Sequence, residues 1–533
     1  MPSIYATALT FDLPDGARLL DGIDLALGPG RHGLLGHNGA GKSTLLKLLA
    51  GQLRPTGGSV TVHGTVGYLP QAVAADPTQP VAGWLGIEPQ LAALAAIEQG
   101  SVDPADFETV GSDGWDVAQR ARATLDRLGL QTIELDRPAG SLSGGEAVLL
   151  ALSARLLARP SVLLLDEPTN NLDTQARARL YEAVDQFAGL LVVVSHDRAL
   201  LDRLDQIGEL SQGHLCWYGG GFAAYREAKA AEQAAAQQAV TTAGAQVRRQ
   251  RRDLAQAETK QARRDRSGRA LAGRGAAGSM PKGASNWHQN RAELTAGRSR
   301  GLHQARLEAA KEELARAQAA LPEHTKLAID LPGTAVPAGR TVLELTGVRP
   351  AHTDLNLDLI IRGPERLAIT GPNGIGKTSL LRVIVGQTEP TAGQAALRVP
   401  ARLAPQSLDL LDDTLSVLDN VLAAAPRAAP AQVRSQVAKL GFRGRAAEQL
   451  AGTLSGGERW RANLAMLLLA CPAPQLLLLD EPTNNLDLEA VDLLVQALAA
   501  FRGALLVVSH DEPFLAELDL TGRLDLARHQ EPA

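Results

Sequence analysis

Cysteine is nearly absent from this sequence: Cys216 and Cys471 are the two copies in 533 residues, far apart and with no second Cys or His at ligand spacing. That argues against a disulfide framework or a zinc site and fits a reducing compartment. Aromatic residues are scarce at 3%, so the cores must be built mainly from Leu, Val and Ala. Long apolar runs are missing too. Leu190–Val194 and Gln475–Leu479 are among the most hydrophobic stretches, and they fall far short of the roughly 20 residues a spanning helix needs. They read as buried strands. Met1–Tyr5 has no basic segment followed by an apolar one, so no signal peptide is expected. The expectation is a cytoplasmic protein without membrane spans.

What is present is arranged unevenly. The net charge of −5 conceals a basic segment: Arg226–Leu321 holds 19 Lys/Arg against 9 Asp/Glu, leaving the remainder at −15. Acidic bodies joined by a basic arm point to a polyanionic partner for the arm. Phe222–Asp265 is rich in Ala, Gln and Arg with few breakers, and Arg291–Ala320 resumes helical character with Leu307, Leu314 and Leu321 spaced by seven. Gly268–Asn290, rich in Gly, Ser and Pro, predicts a turn between the two helices, and Pro322 predicts the stop.

The chain also repeats itself. Lys42 and Lys377 lie 335 residues apart, as do Gln71 and Gln406; Ser143 and Ser455 are 312 apart; Glu167 and Glu481, like His196 and His510, are 314 apart. Two homologous halves follow, with about 23 extra residues in the first. These fall within about 72–140 and are expected to form a helical arm. The resulting division is 1–221, a basic linker over 222–322, and 323–533.

Each half carries a P-loop: Gly36-His37-Asn38-Gly39-Ala40-Gly41-Lys42-Ser43 with Thr44 after it, and Gly371-Pro372-Asn373-Gly374-Ile375-Gly376-Lys377-Thr378 with Ser379 after it. Successive backbone N–H groups and a helix N-terminus cradle phosphates there, and the Lys pairs with their outer oxygens. Arg31–Leu35 and Arg366–Thr370 read as the strands before each loop, and Ser43–Leu49 and Thr378–Val385 as the helices after it. Ser43 and Thr378 offer a hydroxyl to Mg²⁺. Val162–Leu165 and Leu476–Leu479 are apolar strands ending in Asp166-Glu167 and Asp480-Glu481, which places carboxylates at the carboxyl ends of parallel strands, where ligands bind. Asp166 and Asp480 are expected to complete the metal shell, and Glu167 and Glu481 to take a proton from the attacking water or orient it. Gln71 and Gln406 are placed to touch metal and water, and His196 and His510 to touch the terminal phosphate.

Ser143-Gly144-Gly145-Glu146 and Ser455-Gly456-Gly457-Glu458 complete the set. With P-loop, Gln, Asp-Glu and His in fixed order, twice, it resembles the ATP-binding cassette ATPases over some 400 residues. The resemblance implies an α/β fold: two P-loop nucleotide-binding domains in tandem joined by a long α-helical hairpin. It also implies that the Ser-Gly-Gly of one domain closes on the ATP and Mg²⁺ held by the other, so that Lys42 is served by Ser455 and Lys377 by Ser143. Absent membrane domains, a charged linker of roughly 100 residues and matched Leu-Asp-Glu-Pro-Thr-Asn-Asn-Leu-Asp strings are similar to the ABC-F subfamily. That likeness implies an ATPase acting on the ribosome as a translation factor or protection protein. The linker's Arg248, Arg249, Arg251, Arg252, Arg263, Arg264 and Arg266 would then face rRNA and tRNA. The chain departs from the family at Ala147, where Arg is usual and where the second half keeps Arg459, and at Leu13, near the place of the aromatic that stacks on adenine. The alternative, a motor subunit of a transporter with separate membrane partners, fits poorly with the basic linker. One group of DNA-repair cassettes needs a zinc cluster and another a differently placed coiled coil. A non-catalytic scaffold that only clamps ATP stays open, and Glu167→Gln with Glu481→Gln would tell it from an ATPase cycle.

Overall fold

The computed structural model describes all residues except 73–75, 275–281, 320–330, 407–408, 485 and 530–533, and all side chains except those of the same residues and of 261, 264–265, 268–300 and 332. It divides into two compact units, Met1–Ala224 with Thr325–Ala533, and Tyr225–His324.

In the first half, β1 (Ser3–Asp12) and β2 (Arg18–Leu27) pair antiparallel, and β3 (Gly30–Leu35) leads through the P-loop into α1 (Lys42–Leu49). β4 (Gly57–His63) joins β1 to give a small sheet of order β2-β1-β4, and β5 (Val66–Leu69) opens a larger one. Four helices follow: α2 (Val81–Trp84), α3 (Glu88–Glu98), α4 (Pro104–Val110) and α5 (Val117–Arg127). The chain then runs through α6 (Gly144–Leu157), β6 (Val162–Asp166), α7 (Thr174–Gln186), β7 (Leu190–Val194), α8 (Arg198–Leu201), β8 (Gln206–Ser211) and β9 (His214–Gly219). The larger sheet has the order β5-β6-β7-β3-β8-β9 and is parallel except at its β8-β9 edge. Every residue of β6 and β7 is buried. Helices cover both faces of such a sheet, so its strands read as continuous apolar runs rather than alternating ones.

α9 (Phe222–Arg274) and α10 (Lys282–Ala319) form the second unit. Both are longer than the sequence predicts: at 1.5 Å per residue they reach about 80 and about 57 Å. The expected turn over 268–290 is a correction. Gly268 and Gly273 each cost a helix about 1 kcal/mol relative to Ala, but Arg269, Ala270, Leu271, Ala272 and Arg274 around them are strong helix formers. The tip of the predicted turn, together with Leu321 and Pro322, lies outside the described residues. Among the described side chains of this unit, Ala243, Val247 and Ala310 are buried.

The second half repeats the plan with β10 (Thr341–Arg349), β11 (Leu357–Arg362), β12 (Arg366–Thr370), α11 (Lys377–Ile384), β13 (Ala392–Leu397), β14 (Ala401–Ala404), α12 (Val417–Ala424) and α13 (Pro430–Lys439). α14 (Gly456–Leu468), β15 (Leu476–Asp480), α15 (Leu488–Ala500), β16 (Ala504–Val508), α16 (Glu512–Ala516) and β17 (Gly522–Asp525) complete it. Its sheets have the orders β11-β10-β13 and β14-β15-β16-β12-β17, the latter all parallel. Between the P-loop sheet and the Ser-Gly-Gly helix this half has α12 and α13 where the first has α2 to α5. The cores are aliphatic, as the scarcity of aromatics requires; Phe501 and Phe514 are the largest fully buried side chains.

Candidate functional site

Both P-loops depend on glycine where a side chain cannot go. A Cβ on Gly36 would sit 2.3 Å from the Leu210 carbonyl oxygen, and Gly41 and Gly376 start their helices at φ +100° and +106°, a region that other residues rarely adopt. Lys42 Nζ is held inside the loop by the Gly36 and His37 carbonyls (2.6 and 3.2 Å), and Lys377 Nζ by those of Gly371 and Pro372 (2.7 and 3.2 Å). Burial lowers the pKa of both ammonium groups.

The acidic pair after each apolar strand lies beside the lysine. Asp166 is 1% exposed and hydrogen-bonds Ser43, while Tyr68 donates to its Oδ2 at 3.4 Å; Asp480 hydrogen-bonds Thr378. Burial raises the pKa of both carboxyls. Glu167 and Glu481 have φ of +49° and +47°, a conformation that persists where surroundings over-determine it. Their amides are pinned to the Val194 and Val508 carbonyls, each at 2.8 Å. Burial pushes Glu167 up to about 8 and moves Glu481 in the same direction, with the neighbouring lysine opposing the shift in each case. His196 Nε2 is 3.3 Å from Glu167 Oε1 and His510 Nε2 3.4 Å from Glu481 Oε1, with no hydrogen bond between those atoms; each glutamate accepts instead from the backbone N–H of its histidine. Burial, with Lys42 nearby, drives the His196 imidazole down to about 3, so it is neutral; His510 falls to about 4 for the same reasons.

In the first half, a cavity of about 210 Å³ gathers Asn38, Gly39, Gly41, Lys42, Ser43, Thr44, Gln71, Asp166, Glu167 and His196. The sequence places these over more than 150 residues; the sheet puts them at one edge. Gln406 points elsewhere: its Nε2 is 3.5 Å from Asn171 Oδ1 of the first half. Ser143 and Ser455 each close a capping box with the Glu three residues on, in α6 and α14, so their hydroxyls serve their own helices. Gly456 and Gly457 line a neighbouring cavity of about 370 Å³ together with Asn38 of the opposite half.

The halves meet head to tail. Asn38 N donates to Asp487 Oδ2 (3.1 Å), and Asn373 N to Asp173 Oδ2 (3.4 Å). The other oxygen of each aspartate caps its own helix, accepting from Ala490 N and Ala176 N at 2.9 Å. Asn373 Nδ2 also reaches the Asn171 carbonyl (3.1 Å). Arg198, 8% exposed, bridges to Asp492 (2.8 Å) and Glu517. The site reading of the sequence does not include Asp173 and Asp487. The signal was their place as the last residue of the two matched Asp-Glu-Pro-Thr-Asn-Asn-Leu-Asp strings.

Two P-loops, each touched by the segment after the other's acidic strand, define a tandem P-loop nucleotide-binding protein. The sequence profile of the ABC transporter family matches residues 20–170 and 355–484. The chain is 37% identical to the tylosin resistance ATP-binding protein TlrC of Streptomyces fradiae, over 93% of this chain and 92% of that one. It is 31% identical to the energy-dependent translational throttle protein EttA of Escherichia coli K12, over 94% and 88%. Among solved structures, an archaeal ribosome recycling factor crystallised with a ribosomal stalk protein aligns at TM-score 0.55 and 19% identity, over 96% of this chain and 86% of that one, a likeness of fold. The chain belongs to the ATP-binding cassette family, in its ABC-F branch of fused tandem cassettes, and is an ATPase. Among the described residues no helix is long and apolar enough to cross a membrane.

Proposed function

We propose that this protein is an ATP-gated translation factor or ribosome-protection protein, working in the cytoplasm. Two ATP molecules bind in composite sites. Site one consists of Gly36, Asn38, Gly39, Gly41, Lys42, Ser43, Thr44, Gln71, Asp166, Glu167 and His196, served by Ser455, Gly456 and Gly457. Site two consists of Gly371, Asn373, Gly374, Gly376, Lys377, Thr378, Ser379, Gln406, Asp480, Glu481 and His510, served by Ser143, Gly144 and Gly145. The observation that carries this reading is the reciprocal contact of Asn38 with Asp487 and Asn373 with Asp173. Such contacts tie each P-loop to the opposite cassette and make nucleotide occupancy and closure one event.

The residues fit Mg²⁺. Asp166 Oδ1 and the Oε1 atoms of Glu167 and Glu481 are buried without hydrogen-bond partners, and a buried anionic oxygen is costly unless a cation or donor meets it. Ser43, Gln71 and Asp166 would hold the ion in the first half and Thr378 and Asp480 in the second, where Gln406 would have to turn from Asn171 to join them. It would neutralise charge on the phosphates. Glu167 and Glu481 then orient water, and His196 and His510 contact the leaving phosphate.

The names of the relatives, one a tylosin resistance protein and one a translational throttle, support a ribosomal target. The long helices with Arg248, Arg249, Arg251 and Arg252 on α9 support contact with the rRNA and tRNA backbone, which is electrostatic and falls with salt. The test is sedimentation of the Glu167→Gln/Glu481→Gln double variant with ATP. Migration with ribosomes at low salt is the expected result. A variant that stays at the top of the gradient ends the ribosomal reading.

A further inference from the structure

The two sites differ in what holds the histidine. Thr174 Oγ1, on the first residue of α7, lies 3.1 Å from His510 Nδ1 across the cassette boundary. Behind it, Arg177 donates to the His510 carbonyl (3.3 Å) and to the Leu172 carbonyl (3.1 Å), and pairs with Asp197 at 3.7 Å. On its other side, His510 Nε2 is 2.8 Å from Lys377 Nζ. An ammonium only donates, so Nε2 accepts there and Nδ1 carries the proton toward Thr174. A hydroxyl both donates and accepts, so the same threonine also serves the opposite tautomer, in which Nε2–H is turned to a phosphate oxygen.

Site one has no counterpart. The residues matching Thr174 and Arg177 at the 314-residue offset are Leu488 and Val491, which have no polar side-chain atom to offer. His196, also mostly buried, makes no hydrogen bond through either ring nitrogen.

We propose that Thr174, backed by Arg177, is a positioning residue for site two: a hydroxyl on the first cassette sets the ring of the second cassette's His510. Site two thus reaches its full rate only when the first cassette's α7 is docked, and site one lacks this check. The inference rests on the reading of Glu481 and His510 as the working side chains of site two.

The test uses the full chain with Glu167→Gln, so that turnover reports site two. Adding Thr174→Val, which keeps the shape and removes the hydroxyl, is expected to lower kcat about five- to tenfold, the worth of one hydrogen bond of about 1 kcal/mol. KM should move less than twofold, and Thr174→Ser should restore the rate. In parallel, ¹⁵N spectra of the histidine rings in nucleotide-free protein, assigned with His510→Gln, should show one Nδ1-protonated tautomer that becomes mixed in Thr174→Val. Parent-like kcat with an unchanged His510 spectrum overturns the proposal, as does a Thr174→Ser variant as slow as Thr174→Val. If Glu167→Gln/Glu481→Gln still turns over, the assignment of the glutamates falls instead. The ring spectra then decide the positioning role by themselves.

Discussion

The two cassettes share a plan but not a state of readiness. In the second, His510 is braced on three sides, by Thr174, Lys377 and the backbone contact of Arg177. In the first, neither ring nitrogen of His196 makes a hydrogen bond, although the ring-to-glutamate spacing is alike in both, 3.3 Å to Glu167 and 3.4 Å from His510 to Glu481. The asymmetry extends to the rim. Arg459 after the second Ser-Gly-Gly binds Asp409 (2.6 Å), Asp413 and the Ala451 carbonyl, whereas the first half has Ala147 there. Arg198 anchors one side of the contact between cassettes, and Glu512 occupies the matching position on the other, pairing with Arg523 of its own cassette. The two halves keep the same P-loop, Asp-Glu and His residues and differ in what supports them.

The sharpest way to break the comparison is to silence one site at a time. Glu167→Gln and Glu481→Gln together should cut ATP turnover by 10² to 10⁴, the usual worth of a general base. The single variants, measured by phosphate release, should differ from each other. Equal residual rates would erase the asymmetry.

A large effect on stability is expected from Glu167→Gln in nucleotide-free buffer containing EDTA. Folding raises this carboxyl from 4.5 to about 8. The folded state therefore keeps a proton that the unfolded chain releases, and unfolding free energy falls as pH rises through that window. His196, ordinarily near 6.5 and depressed to about 3, tilts the opposite way below pH 6.5, so it does not offset the carboxyl from 6.5 to 8. The variant should gain over the parent with rising pH, reaching about 2–4 kcal/mol near pH 8 by denaturant titration.

Arg198→Ala removes the ion pairs to Asp492 and Glu517 and should cost about 1–2 kcal/mol, read as a lower Tm and weaker ATP-driven closure. Arg459→Ala makes the second rim resemble the first. Its partners are more than half exposed, so the loss should stay below about 1 kcal/mol, and any drop in turnover should be confined to the site the second Ser-Gly-Gly serves.

Much of this architecture was legible in the sequence. The repeat offsets and the apolar runs before Asp166 and Asp480 located the sheets, because parallel strands covered on both faces have no alternation to confuse them. The grouping of Lys42, Gln71, Asp166, Glu167 and His196 around one cavity followed from motif order. The supports were not legible. Thr174 and His510 are 336 residues apart, and no local pattern pairs a helix-start threonine with a distant strand end. Gln406 read as a twin of Gln71 but faces Asn171, because its direction depends on the opposite cassette. The helix lengths of the linker were underestimated because glycine content outweighed the arginines and alanines around it.

The aspartates that join the halves each divide their two oxygens between duties: one fastens a helix of the same cassette, the other reaches a neighbour's amide. Separation of the lobes therefore releases one of the two bonds of each aspartate while α7 and α15 keep their ends tied. Such a latch swings on a mounting that stays fixed, so repeated opening wears nothing away and asks no segment to refold before the next nucleotide arrives.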